Sequence, residues 1–221
     1  MLEGFAAAVV LSAGRSRRMG QPKALLRWAG RPAALAIAEV LSCCPLRVLV
    51  VRPGADWATA ELLAAYTQVE NPQPERGMLS SLQCGLAEVR ARGAHPVLVM
   101  PVDCLGVHQQ TARLLLEVHA RQGRTLVPTW QGRDGHPVLL ARDALELVLA
   151  ADPARTTLRR LLALLDPPPL RLEVDDRGIL SNVNTPDELA ALLPDTPPRG
   201  AWGEAGEASP PEEVDHAHNA P

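Results

Sequence analysis

The sequence predicts a three-layer α/β fold, a mostly parallel sheet with helices on both faces, and three observations point to it. Short, continuous apolar runs at Ala6–Leu11, Leu46–Val51 and Val97–Met100 have the length and unbroken hydrophobicity of strands buried on both faces. Stretches with helical periodicity separate them. The first run stops at Ser12-Ala13-Gly14, as a strand does on meeting a loop. In such a sheet the ligand crevice lies outside the carboxyl ends of the strands, so the loops after these runs are where chemistry is expected.

Weaker strand candidates follow at Leu126–Val127, Val138–Leu140 and Leu170–Val174. The spacing of apolar positions predicts helices over Ala33–Leu41, Ala58–Tyr66, Leu79–Val89, Thr111–Arg121, Ala144–Leu149 and Leu158–Leu165. A last helix announces its own start. Thr185-Pro186-Asp187-Glu188 supplies an N-cap, a proline at the first helical position and a glutamate for a capping box, and the pattern runs to about Leu193. Residues 195–221 are rich in Pro, Gly, Ala and Glu with almost no aliphatic periodicity, so burial there cannot offset the entropy of ordering. The expected organisation is one domain over residues 1–194 and a disordered tail over 195–221.

With 221 residues, 47% of them apolar, the chain has material for one sizeable core built mainly from aliphatic side chains. The net charge of −3 argues against a nucleic-acid-binding protein. That charge is uneven: six acids against one Arg give residues 195–221 a charge of −5 and leave the body near +2. Arg15, Arg17, Arg18 and Lys23 fall within nine positions, a grouping that suits a local anion site. Cys43, Cys44, Cys84 and Cys104 form no C-x-x-C pair and are expected as reduced thiols. The N-terminus lacks a basic leader, and the run from Phe5 to Leu11 is too short to span a bilayer, so a cytoplasmic protein with no membrane partner is expected.

Four segments carry candidate chemistry. The first is the basic, glycine-containing loop Ser12–Lys23 at the carboxyl end of the first strand, whose backbone N–H groups can cradle phosphates. It is neither a Walker A loop nor G-x-G-x-x-G. Attack at the α-phosphorus of a nucleoside triphosphate drives charge onto the departing pyrophosphate, and nearby cations lower that barrier; Arg18 and Lys23 are the candidates, against the plainer reading of a solvated Arg-rich loop. The second is Asp103 in Pro101-Val102-Asp103, a carboxylate after an apolar strand, placed either to hold Mg²⁺ or to cap a turn. The third is Glu75–Leu82, a loop entering a helix with small residues at Gly77, Ser80 and Ser81. The fourth is Gly132–Pro137, a turn leading into a strand that contains His136. Alone, each of the last two passes for an ordinary loop.

In this order the four segments resemble the molybdenum cofactor nucleotidyltransferases, within the wider Rossmann-like, nucleotide-diphospho-sugar transferase-like folds. The resemblance covers about residues 5–193 and is strongest to the cytidylyltransferase branch, at L-x-A-G-x-S-x-R-M-G-Q-P-K (Leu11–Lys23), G-M-x-S-S-L (Gly77–Leu82), G-H-P (Gly135–Pro137) and T-P-D (Thr185–Asp187). It implies transfer of CMP from CTP to a molybdopterin-type cofactor with release of pyrophosphate, a requirement for Mg²⁺, and delivery to a molybdoenzyme of the xanthine dehydrogenase type. Carried over by position, Ala13 and Gly14 fall in the nucleotide-binding turn, flanked by Leu11 and Arg15. Arg18 and Lys23 fall at the phosphates, Ser80 and Ser81 near the base, Asp103 at the metal and His136 on the acceptor side.

In the guanylyl branch the turn usually reads A-G-G and an acid precedes the lysine; here Ala13 and Pro22 hold those positions, which favours cytosine. The chain departs from the branch at Asn182-Val183-Asn184-Thr185-Pro186, where D-I-D-T-P is common, and at Ser12 and Cys104 in place of alanine and glutamine. Two alternatives stay open: a guanylyl- or sugar-phosphate nucleotidyltransferase of the same fold, and a non-catalytic carrier of the cofactor. Retention of Arg18, Lys23 and Asp103 argues for catalysis.

Overall fold

The computed structural model describes residues 5–14, 16, 19–57 and 59–192. Arg15, Arg18 and the segment expected as a tail lie outside the described residues. In chain order the elements are β1 (Ala7–Leu11), β2 (Arg27–Trp28), β3 (Arg31–Pro32), α1 (Ala33–Val40), β4 (Leu46–Val51), α2 (Ala60–Ala65), β5 (Thr67–Glu70), α3 (Met78–Ala91), β6 (Val97–Pro101), α4 (Gln109–Gln122), β7 (Leu126–Trp130), β8 (Arg133–Asp134), β9 (Val138–Leu140), α5 (Arg142–Ala150), α6 (Leu158–Leu162), β10 (Leu170–Glu173) and α7 (Pro186–Leu192). Short 3-10 turns occupy Lys23–Leu25, Pro74–Arg76 and Arg177–Leu180.

Hydrogen bonding joins the strands in the order β10-β7-β9-β6-β1-β4-β5, with β8 folded back on β7. The pairs β1·β4, β1·β6, β4·β5 and β10·β7 are parallel; β9 runs antiparallel to both β6 and β7. The chain leaves β1 for β4 and β5 on one side and returns to β6 on the other. That reversal opens a crevice at the carboxyl ends of β1 and β6, which are level because Leu11 is paired with Pro101.

Alternation along β1 explains the three layers. Ala8 and Val10 point into a core shared with Ile37 and Leu41 of α1 and its C-cap, Leu62 of α2 and Leu115 of α4. Ala7, Val9 and Leu11 point the other way, against Leu82, Leu86 and Val89 of α3, Val148 of α5 and Leu161 of α6. Each Val or Leu buried this way contributes about 1.5–3 kcal/mol, which is why a central strand needs apolar residues at every position. At Gly85 the helix α3 lies so close to the sheet that a Cβ would sit 2.8 Å from a methyl of Val50 and closer still to Val9. This approach seats the first turn of α3 beside the crevice.

The predicted strands and helices are present with ends shifted by at most three residues, and Leu46–Val51 and Val138–Leu140 coincide with their predicted bounds. The capping box also forms: Thr185 Oγ1 accepts from the Glu188 N–H at 3.2 Å, and Glu188 Oε2 accepts from the Thr185 N–H at 3.2 Å. Three features differ from the sequence pattern. β5 is a half-exposed edge strand whose Thr-Gln-Val-Glu reads as polar. β2, β3 and β8 are two-residue strands, too short to leave a period. β7 continues through Pro128 to Trp130, because its later residues pair outward with β8 and β10. Among the described residues no helix is long and apolar enough to cross a membrane.

Candidate active site

The crevice is a cleft of about 780 Å³. Its floor is the loop after β1, with Leu11, Ser12, Ala13, Gly14, Ser16 and Lys23 on its surface. The Ser12 N–H donates to Val50 O at 2.8 Å, so the loop leaves β1 still tied to β4. Ser16 then turns it: its carbonyl accepts from Met19 N–H at 2.9 Å and its hydroxyl from Lys23 N–H at 3.3 Å. Buried Met19, Ala24 and Leu26 anchor the far end of the loop. Lys23 is thereby aimed back over the strand ends.

The lysine meets two oxygens from distant parts of the chain. Its Nζ donates to Asp103 Oδ2 at 2.7 Å and to Asn184 Oδ1 at 2.9 Å. The Asp103 and Lys23 side chains are 19% and 16% exposed, so the pair is partly shielded from water yet open to the cleft. Asp103 follows β6, where Cys104 N–H donates to Pro101 O at 3.1 Å. Its own carbonyl accepts from Val183 N–H at 3.0 Å, which draws the segment before α7 across the strand ends. Asp176 fixes the start of that segment: its buried carboxylate accepts from the backbone N–H groups of His108 and Gly178, both at 2.9 Å, and from the Thr111 hydroxyl at 2.5 Å.

A second wall is the start of α3. Asn71, at the end of β5, is 1% exposed and was not singled out from sequence. Its Nδ2 donates to Ser80 Oγ and Ser81 Oγ, each at 2.9 Å, while its Oδ1 accepts from Gln73 N–H at 2.9 Å. Ser80 completes an inward set by donating to Gly77 O at 2.8 Å. Ser81 lines the cleft with Gly77 and Met78, and Ser80 does not. The Asn-Pro step after a short polar run was the only signal for Asn71, and it reads as a turn.

The third wall is the segment that joins β8 to β9. Because β9 is antiparallel to β6, its first residues lie at the carboxyl edge of the sheet, and Gly135-His136 enters the cleft there. The His136 N–H donates to Ile179 O at 2.9 Å. Gly135 has no alternative: a Cβ would lie 2.7 Å from that same oxygen and 2.6 Å from the Ile179 side chain. Burial lowers the His136 pKa below its ordinary 6.5, with Asp103 and the Val99 backbone pulling weakly the other way. Its Nδ1 is buried without a partner. Cys104, 3% exposed, is held as a thiol because burial and then the Asp103 charge push its pKa up, so it has no nucleophilic part here.

Of the residues singled out from sequence, the structure brings Leu11, Ala13, Gly14, Lys23, Ser81, Asp103 and His136 to one cleft. Among the described residues no group of three His, Cys, Asp or Glu side chains converges to hold a metal. Of the two carboxylates that line the cleft, Asp134 is held by Arg171, so what is offered to a cation is Asp103 and the neutral amide oxygen of Asn184, with the Lys23 ammonium between them.

Residues 8–171 match the family described as the MobA-like NTP transferase domain. The chain belongs to this family. As a MobA-like transferase it is similar to the molybdenum cofactor guanylyltransferase of Xanthomonas euvesicatoria pv. vesicatoria (strain 85-10), 28% identical with 86% of this chain and 95% of that protein covered. It is also similar to the molybdenum cofactor cytidylyltransferase of Escherichia coli (strain K12), 24% identical with 82% and 92% covered. Among solved structures, Rv0371c of Mycobacterium tuberculosis H37Rv superposes with a TM-score of 0.69 at 26% identity, covering 87% of this chain and 99% of that one. A second structure of Rv0371c is a complex with manganese. A 4-diphosphocytidyl-2C-methyl-D-erythritol synthase shares the fold at a TM-score of 0.66 and 16% identity, over 86% of this chain and 97% of that one. The MobA-like chain is an enzyme, a nucleotidyltransferase.

Proposed function

We propose that this MobA-like enzyme transfers CMP from CTP to the phosphate of a molybdopterin-type cofactor. An oxygen of the acceptor phosphate attacks the α-phosphorus and forms a new P–O bond. The bond from the α-phosphorus to the bridging oxygen breaks, and pyrophosphate leaves with the electron pair. No protein nucleophile takes part, and a phosphate monoester, with its second pKa of about 6, needs no general base near neutral pH.

The observation that carries this reading is Lys23 Nζ held between Asp103 Oδ2 and Asn184 Oδ1. Two oxygen donors already gathered about one positive charge make a seat for a cation, and magnesium commonly takes one or two carboxylates and completes its shell with phosphate oxygens and water. Asp103 and Asn184 would hold the ion, and the manganese complex of Rv0371c supports a divalent metal in this fold. Mg²⁺ there supplies positive charge to the oxygens of the reacting phosphates. Lys23, released from Asp103, neutralises the departing pyrophosphate, a role the resemblance gives also to Arg18; Leu11, Ala13 and Gly14 cradle the nucleotide, and the resemblance adds Arg15. Ser81 faces the base with Ser80 and Asn71 behind it, and His136, neutral by burial, orients the acceptor.

Relatives of both guanylyl and cytidylyl type match this chain. The choice of CTP rests on Ala13 in the turn, Pro22 before the lysine and the Gly135-His136-Pro137 segment. The product would serve a molybdoenzyme, of the xanthine dehydrogenase type by the resemblance to the cytidylyl branch.

The deciding experiment is pyrophosphate release with Mg²⁺ and molybdopterin cofactor, comparing CTP, GTP and ATP in wild type and Asp103→Ala. Release with CTP, lowered about a hundredfold or more in the variant at unchanged melting temperature, is expected. Release with GTP alone would reassign the base, and tight cofactor binding without release under any triphosphate would make the protein a carrier.

A further inference from the structure

We infer that Arg133 receives the phosphate of the acceptor, an inference that rests on the cleft being a nucleotidyl-transfer site. In-line displacement sets the attacking oxygen and the leaving pyrophosphate on opposite sides of the α-phosphorus. The pyrophosphate belongs with Lys23 on the floor loop, so the acceptor dianion must arrive along another wall, the one made by the β7–β8 hairpin and His136. Among the described residues that line the cleft, Lys23 and Arg133 are the only Lys or Arg side chains. Lys23 is on the floor, and Arg133 is on this wall.

The charge of Arg133 is uncommitted. Its neighbour Asp134 is gripped by Arg171, at 2.9 Å from Nε and 3.4 Å from a terminal nitrogen, while Arg133 has no carboxylate partner among the described residues. The backbone beneath it is fixed on both sides. Gln131 and Gly132, with φ of 50° and 73°, make a two-residue turn of the kind that closes a twisted hairpin. Glu173 clamps that turn, accepting from Gln131 N–H at 2.6 Å and from the Thr129 hydroxyl at 2.7 Å. A free guanidinium on a pinned hairpin is pre-organised, and its forked donors match the oxygens of a phosphate dianion. Three residues on, His136 lines the same wall, its Nδ1 buried and without a hydrogen-bond partner.

Kinetics of Arg133→Ala and Arg133→Lys, with CTP and molybdopterin as substrates and phenyl phosphate as a competing monoester, test the assignment. In Arg133→Ala the KM for the acceptor and the inhibition constant for phenyl phosphate are expected to rise about ten- to a hundredfold, the effect of losing a charge-assisted hydrogen bond. The KM for CTP should stay within about twofold, and lysine should restore part of the loss. The wild-type acceptor KM should also rise as pH falls below about 6, where the monoester gains a proton, and that slope should flatten in Arg133→Ala. An unchanged acceptor KM in an active Arg133→Ala enzyme overturns the inference alone. An equal rise in the KM for CTP moves Arg133 to the triphosphate and overturns it too. A wild-type enzyme that releases no pyrophosphate overturns the transfer reading, and the inference with it.

Discussion

Lys23 holds two oxygens with one ammonium, and that economy shows how residue-level chemistry organises the cleft. His136 shows the complementary device, a ring kept neutral by burial. Its folded pKa lies below the ordinary 6.5, so as pH falls through 6.5 the unfolded chain takes up a proton that the folded chain refuses. The contribution of His136 to stability is therefore fully present above that value and is lost as the medium becomes more acid. Urea denaturation between pH 7 and pH 5 should show a weaker loss of stability in His136→Gln than in wild type; parallel losses would place the acid-sensitive group elsewhere. Asp103 was legible in the sequence because a charged residue just past an apolar strand lies at the carboxyl edge of a sheet, and Lys23 because it belongs to the basic, glycine-containing loop that follows β1. Asn184 entered only through the resemblance, at the departure from D-I-D-T-P, and its bond to Lys23 was not legible because the contact spans 161 positions. Asn71 escaped for another reason. A buried amide that serves two serines looks, in sequence, like any asparagine before a proline.

At the scale of the element, the apolar runs made the parallel core readable, and the same uniformity concealed its exception. Val138–Leu140 is buried throughout, so its three residues look alike whether the strand runs up or down. Its reversed direction is what carries Gly135 and His136 into the cleft. Gly135 is the hinge of that arrangement, and Gly135→Ala must push apart the β8–β9 connection and Ile179. A destabilisation of about 1–3 kcal/mol is expected, as for other overpacked sites. Gly14→Ala is the control, because a Cβ there meets nothing within 4 Å. Thermal melts that leave both variants at the wild-type midpoint would show the contact to be soft. The polar edge strand β5 and the two-residue strands were beyond pattern reading, since half-exposed or very short strands leave no period to detect.

Taken whole, the molecule places a sheet reversal under one cleft and brings five separate stretches of chain to it. The described walls are built from residues between Leu11 and Asn184, and we expect a chain ending at Pro194 to release pyrophosphate at the full-length rate. A rate reduced severalfold would give residues 195–221 a part in the reaction. The bridge among Lys23, Asp103 and Asn184 has a consequence for how the protein is made. Its members are 80 and 161 positions from the lysine, and synthesis proceeds from the N-terminus. A ribosome that has extruded everything through β9 has delivered the lysine and the aspartate but not the asparagine, and the segment that crosses the strand ends is still missing. Competence therefore arrives only with the closing stretch of the domain, so an interrupted nascent chain has no finished site with which to hold a nucleotide.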